Sequence, residues 1–246
     1  MADRLFDDAY LAALYDLWYP RPLRDDYDFY LPRIMAAGSV LDAGCGTGTL
    51  LADARARGHA GRLVGLDPAP GMLACARRHA DIEWVLGDLA SARWEGEFDL
   101  IVMTGHAFQA MVEDADLAAA MAAVRRALAP DGRFAFETRN PAVRAWERWR
   151  PENASTIAGP GGEAVTITTR VTAPFDGRTV SFTHSFTGDH PALPQVSGST
   201  LRFLDEAGLE ALLSAAGLTI VERYGDFDGG PPSAQSPEIV VIAGVA

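Results

Sequence analysis

From about residue 37 the chain alternates short apolar runs with longer amphipathic stretches, the mark of strand–helix–strand units on a parallel sheet. Runs at 39–43, 62–66, 82–86, 98–103 and 132–138 read as strands, and 48–58, 70–79 and 114–128 as helices between them. "APDG", Ala129 to Gly132, is expected to stop the third helix and turn the chain into a strand. Ahead of this pattern, residues 5–36 carry apolar and aromatic side chains at helical spacing, broken by "YPRP" at Tyr19 to Pro22. From Asn140 the rhythm changes to a short Trp-bearing helix, a Gly/Pro loop and two β-rich runs, "EAVTITTRVTAPF" and "GRTVSFTHSFTG". "FDG" joins the two as a hairpin, and their alternation places Val165, Ile167 and Thr169 on one face. The α/β pattern then returns. Asp205 caps the helix "EAGLEALLSAAG", Gly217 closes it, and "LTIVERY" and "EIVVIAG" are two final strands.

The expected fold is therefore α/β, doubly wound and mostly parallel, with a small antiparallel β insertion. Three parts follow: an N-terminal helical cap at 1–36, an α/β domain at 37–139 and 204–246, and an inserted β-rich flap at 140–203.

Composition narrows the chemistry. Apolar residues make up 48% of the 246 and the formal net charge is −12. A nucleic-acid binder needs a basic stripe to neutralise phosphates, and none is visible, so no nucleic-acid partner is expected. All 21 basic residues are Arg. Without Lys there is no Schiff base, no internal PLP aldimine and no P-loop lysine for a triphosphate. Cys45 and Cys75 form no CxxC, and the five His are scattered with no metal-ligand spacing, so no metal is expected. The opening "MADRLFDDAY" is acidic, unlike a secretory leader, and no apolar run reaches the ~20 residues of a membrane span. A cytoplasmic chain with no membrane partner is the expectation.

The richest motif is "VLDAGCGTGTL", Val40 to Leu50, between a predicted strand and a predicted helix. In open α/β sheets ligands bind beyond the carboxyl ends of the strands, near the first one. A dinucleotide fold wants G-x-G-x-x-G, but the position three after Gly46 is Thr49. The spacing is instead Gly44-x-Gly46-x-Gly48. With "VGLDPAPGML" around Asp67, "LGDL" around Asp88, and the later "FDLIVMTGHAFQ" and "LAPDGRFAFE", the chain resembles the class I S-adenosylmethionine-dependent methyltransferases. The resemblance covers about 36–138 and 204–246.

It implies a Rossmann-like, seven-stranded sheet and S-adenosylmethionine as cofactor, with S-adenosylhomocysteine as product. It also implies Asp67, with Pro68 and Met72 beside it, on the ribose, and Asp88 with Leu89 on the adenine. Asp42 is then expected to order the loop or meet the methionine amine. Gly44, Cys45 and Gly46 would lie against the cofactor, Cys45 as the small residue of the motif, and Thr104 just past the fourth strand. The start of the helix near Thr47–Thr49 would face the methionine carboxylate.

On the acceptor side, His106 in "TGHAFQ" is the candidate catalytic residue; its alternative is a loop histidine packing on Phe108. Gln109, one turn on, is a candidate contact to the acceptor or the cofactor. Arg139 either binds an acceptor carboxylate through its planar fork or pairs with Glu137 or an Asp. Tyr15 and Tyr19 line the site if the leading segment closes over the cofactor, as in similar small-molecule enzymes; otherwise they only pack. His184 is a hairpin histidine on a sheet face or a substrate contact. Trp146 and Trp149 wall the acceptor pocket or seat the flap. A small-molecule acceptor, methylated on nitrogen or oxygen, is expected; the alternative is a cofactor-binding subunit without catalysis. If the flap serves as an interface, a homodimer is expected.

Overall fold

The structure, a computed structural model, describes residues 3–246. Three helices lead: α1 (Arg4–Asp7), α2 (Ala9–Trp18) and α3 (Asp25–Ala36). The α/β run follows as β1 (Ser39–Ala43), α4 (Thr49–Ala56), β2 (Arg62–Asp67), α5 (Pro70–Ala76), β3 (Glu83–Leu86), β4 (Phe98–Met103), α6 (Asp114–Ala127) and β5 (Leu128–Arg139). The insertion holds β6 (Ser155–Ala158), β7 (Ala164–Ala173), β8 (Thr179–Gly188) and β9 (Gln195–Arg202). After it come α7 (Glu206–Ala215), β10 (Leu218–Tyr224) and β11 (Glu238–Val245).

The main sheet has seven strands in the order β10-β11-β5-β4-β1-β2-β3, and a separate four-stranded sheet runs β6-β7-β8-β9. β1 to β5 pair in parallel, while β11 enters antiparallel between β5 and β10. The expected fold class is borne out: a mostly parallel, doubly wound sheet with an antiparallel insertion.

Apolar residues fill the central strands almost continuously because both faces are covered. One face carries Leu41, Val64, Ile101, Phe134, Phe136 and Val241, packed on Leu117, Met121 and Val124 of α6 and Leu209 and Leu213 of α7. The other carries Val40, Leu63, Val102, Ala135 and Ile242 beneath Tyr30, Leu31 and Ile34 of α3 and Leu50 and Leu51 of α4. Charge placement supports the helices. Asp25, Asp26 and Asp28 lie in the first turn of α3, and Asp114 and Asp116 open α6, which ends in Arg125 and Arg126.

Several boundaries differ from those expected. "APDG" lies inside β5, which starts at Leu128 and shifts register against β4 between Phe98 and Leu100; pairing with β4 absorbs the turn sequence into an irregular strand. The predicted Trp-bearing helix is a series of 3₁₀ turns at Pro141–Val143, Ala145–Arg148 and Pro151–Asn153, two of them opened by proline. Strands β6 and β9 have no strong alternation in the sequence and form as partners of β7 and β8.

The flap is seated by its inner face. Val165, Ile167 and Phe186 bury against Leu5, Leu11 and Leu14 of the leading helices. Thr169 shares that face and bonds His184 across the pair. The leading segment therefore bridges flap and main sheet.

Candidate active site

Asp42 and Asp67 stand at the ends of the adjacent strands β1 and β2. The Asp67 carboxylate accepts the amide of Gly46 through Oδ2 and that of Ala69 through Oδ1, each at 2.8 Å. It thus ties the loop after β1 to the start of α5. Burial pushes its pKa up, against those two amides. Asp42 is 1% exposed, and its Oδ1 has no hydrogen-bond partner among the described residues. Burial, then the neighbouring Asp67, pushes its carboxyl up to about 8. A buried acceptor left empty costs roughly 1–3 kcal/mol, so this edge of the site is prepared for a hydrogen-bond donor.

The glycines divide their work. Gly44 has φ +83°, and a Cβ there would sit 2.7 Å from the Cβ of Ala107, so it lets the loop after β4 close on the loop after β1. Gly48 has φ +77°, and a Cβ there would overlap the Trp84 ring; the third glycine serves packing by β3. Cys45 is buried on the same side, packed with Leu73, Ala76 and Trp84, and burial holds its thiol well above the ordinary value. Met72 is buried beside Gly46, while Pro68 is exposed. Asp88 is exposed and accepts the Ser91 amide at 2.8 Å, with Leu89 buried behind it. Thr104 is buried at the end of β4.

The start of α4, expected to face the methionine carboxylate, is met by a carboxylate from the chain. Asp16 of α2 accepts from the Thr47 hydroxyl at 2.6 Å and lies 3.4 Å from that of Thr49. Nearby, Arg24 reaches over Gly105 with the Tyr15 hydroxyl, pairs with Asp26 through two bonds at 2.9 and 2.7 Å, and stacks on Tyr27. Tyr15 and Tyr19 lie with ring centroids 5.4 Å apart, and burial raises both hydroxyls, that of Tyr19 to about 12.

Past β4, His106 takes a left-handed backbone (φ 63°). Its amide donates to Glu137 Oε1 at 2.8 Å, and Tyr30 donates to Glu137 Oε2 at 2.5 Å. The ring Nε2 lies 3.0 Å from both oxygens of Glu238. Burial, then Arg139, pushes the imidazole down to about 3. Burial pushes Glu238 up to about 7, against the pull of Arg139.

Arg139 has neither of its expected pairs within ion-pair distance among the described residues. It donates to Gln109 Oε1 at 2.9 Å, with its guanidinium 5.6 Å from the Trp149 ring centre. Gln109 is fully buried, its other end donating to the Arg202 carbonyl at 2.8 Å, so it joins β5 to the flap. His184 bonds Thr169 through Nδ1 at 2.9 Å and takes the edge of Trp18; burial lowers it to about 4. Trp146 stacks on Phe175 and meets Phe203, and Trp149 packs on Phe182, so both tryptophans join the apolar packing of the insertion itself.

Sequence reasoning missed Glu238, Arg24, Asp26, Asp16 and Tyr30. One signal was present for Glu238: it opens a strand of otherwise apolar residues. An antiparallel strand begins at the end of the sheet where its parallel neighbours finish. Register sets Glu238 directly across from Arg139.

The comparisons agree with this geometry. Residues 40–132 match the family model described as a methyltransferase domain. The chain is 34% identical over 118 residues to the 2-phytyl-1,4-naphtoquinone methyltransferase of Thermosynechococcus vestitus, covering 46% of this chain and 51% of that protein. It thus spans about half the length of that curated relative. Among solved structures, the CcbJ methyltransferase from Streptomyces caelestis superposes with a TM-score of 0.77 at 22% identity, over 100% of both chains. The sugar N-methyltransferase KedS8 from a Streptoalloteichus species gives 0.68 at 22% identity, over 93% of this chain and 92% of that one. The fold is that of these solved methyltransferases, and the match to a methyltransferase domain falls on residues 40–132, which hold β1 to β4 and the glycine loop. Among the described residues no helix is long and apolar enough to cross a membrane, and no His, Cys, Asp and Glu cluster could hold a metal ion.

Proposed function

We propose that the chain is an S-adenosylmethionine-dependent methyltransferase acting on a small-molecule acceptor through a nitrogen or oxygen nucleophile. The observation that carries this reading is the pair Asp42 and Asp67 at adjacent strand ends, with one buried oxygen of Asp42 unpartnered beside the glycine loop. The cofactor is rich in donors at the matching places: an ammonium group, two ribose hydroxyls and an adenine amine. Acid oxygens fit those groups as hydrogen-bond acceptors, and a phosphate has no such donors to offer, so the acceptor set favours this cofactor over a dinucleotide. Asp42 would hold the ammonium, Asp67 the ribose with Met72 and Pro68 beside it, and Asp88 and Leu89 the adenine. The cofactor supplies a methyl group on a sulfonium carbon; the chain holds the acceptor in line with it, and such positioning is worth roughly 7–11 kcal/mol.

Names of similar proteins support a small acceptor, one being a quinone methyltransferase and another a sugar N-methyltransferase. The net charge of −12 argues in the same direction, against nucleic acid. His106, just past β4, and Arg139, at the end of β5, would face the acceptor together with Tyr15, Tyr19 and His184.

The test is calorimetric titration with S-adenosylmethionine, S-adenosylhomocysteine and NAD, alongside Asp67→Ala. Asp67 would make two charge-assisted bonds of roughly 1.5–3 kcal/mol each, so its loss should weaken S-adenosylhomocysteine binding by about 100-fold or more. NAD binding in place of both cofactor forms would overturn the reading.

A further inference from the structure

His106 is held at both of its ends by carboxylates from different strands. Its backbone conformation, left-handed at a residue with a side chain, persists only where the surroundings fix it. Glu137 of β5 does so by accepting the His106 amide, and Tyr30 in turn fixes Glu137. The ring is fixed by β11, through Nε2 and Glu238. Nδ1 has no hydrogen-bond partner among the described residues, yet it is not one of the polar atoms sealed from solvent. One ring nitrogen is committed and the other is open.

We propose, on the methyltransferase reading above, that Glu238 is the positioning residue of the reaction centre. The single proton between its carboxylate and Nε2 decides whether Nδ1 of His106 meets the acceptor as a lone pair or as an N–H donor.

The physical argument starts from the burial of both groups. A neutral imidazole carries one N–H, so the state of one nitrogen dictates the other. His106 faces Arg139 and Glu137 of β5 and Arg24 and Asp26 of the leading segment; burial and Arg139 keep it neutral down to about 3. Glu238 faces Arg139, Asp226 and Asp26, and burial lifts it to about 7. The two groups share a hydrogen bond and titrate as a pair, and burial acts on both against the imidazolium–carboxylate ion pair, so the proton that comes and goes is the one between the carboxylate and Nε2. Below that point the carboxylic acid donates to Nε2, and the ring proton sits on Nδ1. Above it the carboxylate accepts from Nε2–H, and Nδ1 is bare.

Only the second state takes a proton from an acceptor. Nδ1 then removes the acceptor's N–H or O–H proton as that nitrogen or oxygen bonds the methyl carbon. The carbon–sulfur bond breaks with its electron pair remaining on sulfur. The imidazolium so formed pairs with the Glu238 carboxylate 3.0 Å from Nε2, whose opposite charge offsets the burial that otherwise disfavours it, and then passes its proton to solvent.

The experiment is a pH titration of the imidazole nitrogens by nitrogen–proton NMR on the full chain, over about pH 6 to about pH 8.5. The five histidines give few signals, and those of His106 are assigned by their loss in His106→Asn. The expected result is a His106 ring that stays neutral and moves from Nδ1–H to Nε2–H with rising pH. Glu238→Gln should abolish the switch, and Glu238→Asp should shift its midpoint. A His106 ring that gains a second proton near 6.5, a tautomer fixed throughout, or an unaltered switch in Glu238→Gln overturns the proposal. Once His106 is assigned, by His106→Asn or, if that variant fails to fold, by His106→Gln, the wild-type titration decides even if neither Glu238 variant folds. Because it needs neither acceptor nor cofactor, it separates from the calorimetry. A switch without S-adenosylhomocysteine binding overturns the methyltransferase reading, and binding without a switch overturns the role of Glu238.

Discussion

The half of the site built on β1 to β3 and the half built by the cap, the flap and β11 solve different problems. In the first, Asp42, Gly44, Gly46 and Asp67 lie on two adjacent parallel strands and their loops, and their contacts are mostly to backbone. In the second, partners are far apart in sequence: His106 meets Glu238 across 132 residues and Gln109 meets Arg202 across 93. Such contacts form only once the whole chain has closed, and each depends on side-chain shape. A ligand shared by many enzymes can be held by a local, repeated device, whereas an acceptor is recognised by what the rest of the chain brings to the rim.

The sharpest way to break this comparison is through pH. Asp42 is an acid whose folded value, about 8, lies above its ordinary one, so the native state binds more protons and stability falls as pH rises from about 4 to about 8. At about 1.4 kcal/mol per pH unit the loss is on the order of 5 kcal/mol. Asp42→Asn should remove most of that fall. Urea unfolding at pH 5 and pH 8 checks it, and equal losses in variant and wild type would count against a strained cofactor half. Gly48→Ala comes next: the left-handed backbone and the Trp84 ring together should cost about 3 kcal/mol, read as a lower Tm. The smallest effect belongs to the other half. Trp18→Ala removes the contacts with His184 and Phe186 and should cost about 1–3 kcal/mol. Hydrogen exchange should then quicken in α2 and β8 while β1 and β2 stay protected. Quickening throughout would show that the two halves open as one unit.

The same division explains what the sequence made legible. Strands β1 to β4 were readable because apolar runs bounded by turn residues map directly onto buried parallel strands. The glycine spacing and Asp67 were readable because their geometry is local. β9 was not, since "QVSGSTLR" owes its strand state to pairing with β8. Arg24 and Asp26 looked like ordinary charges at the start of a helix, and only tertiary packing buries them as a pair. Glu238 looked like a polar strand end, because its partner His106 lies in another loop. His106 could be singled out by its place after β4, but its ring environment depended on that unseen acid.

The position of β11 also sets a timetable for synthesis. It lies inside the sheet, between β5 and β10, and it leaves the ribosome after all the other strands described. Until it does, β5 presents an open edge and β10 has no neighbour, so the nascent sheet carries an unpaired seam of the kind that invites association with other chains. The strand that seals the seam brings Glu238 to His106 as it docks. Protection from misassembly and completion of the His106–Glu238 pair are therefore one event, and a nascent chain stopped before β11 would carry every glycine of the loop after β1 while lacking that acid.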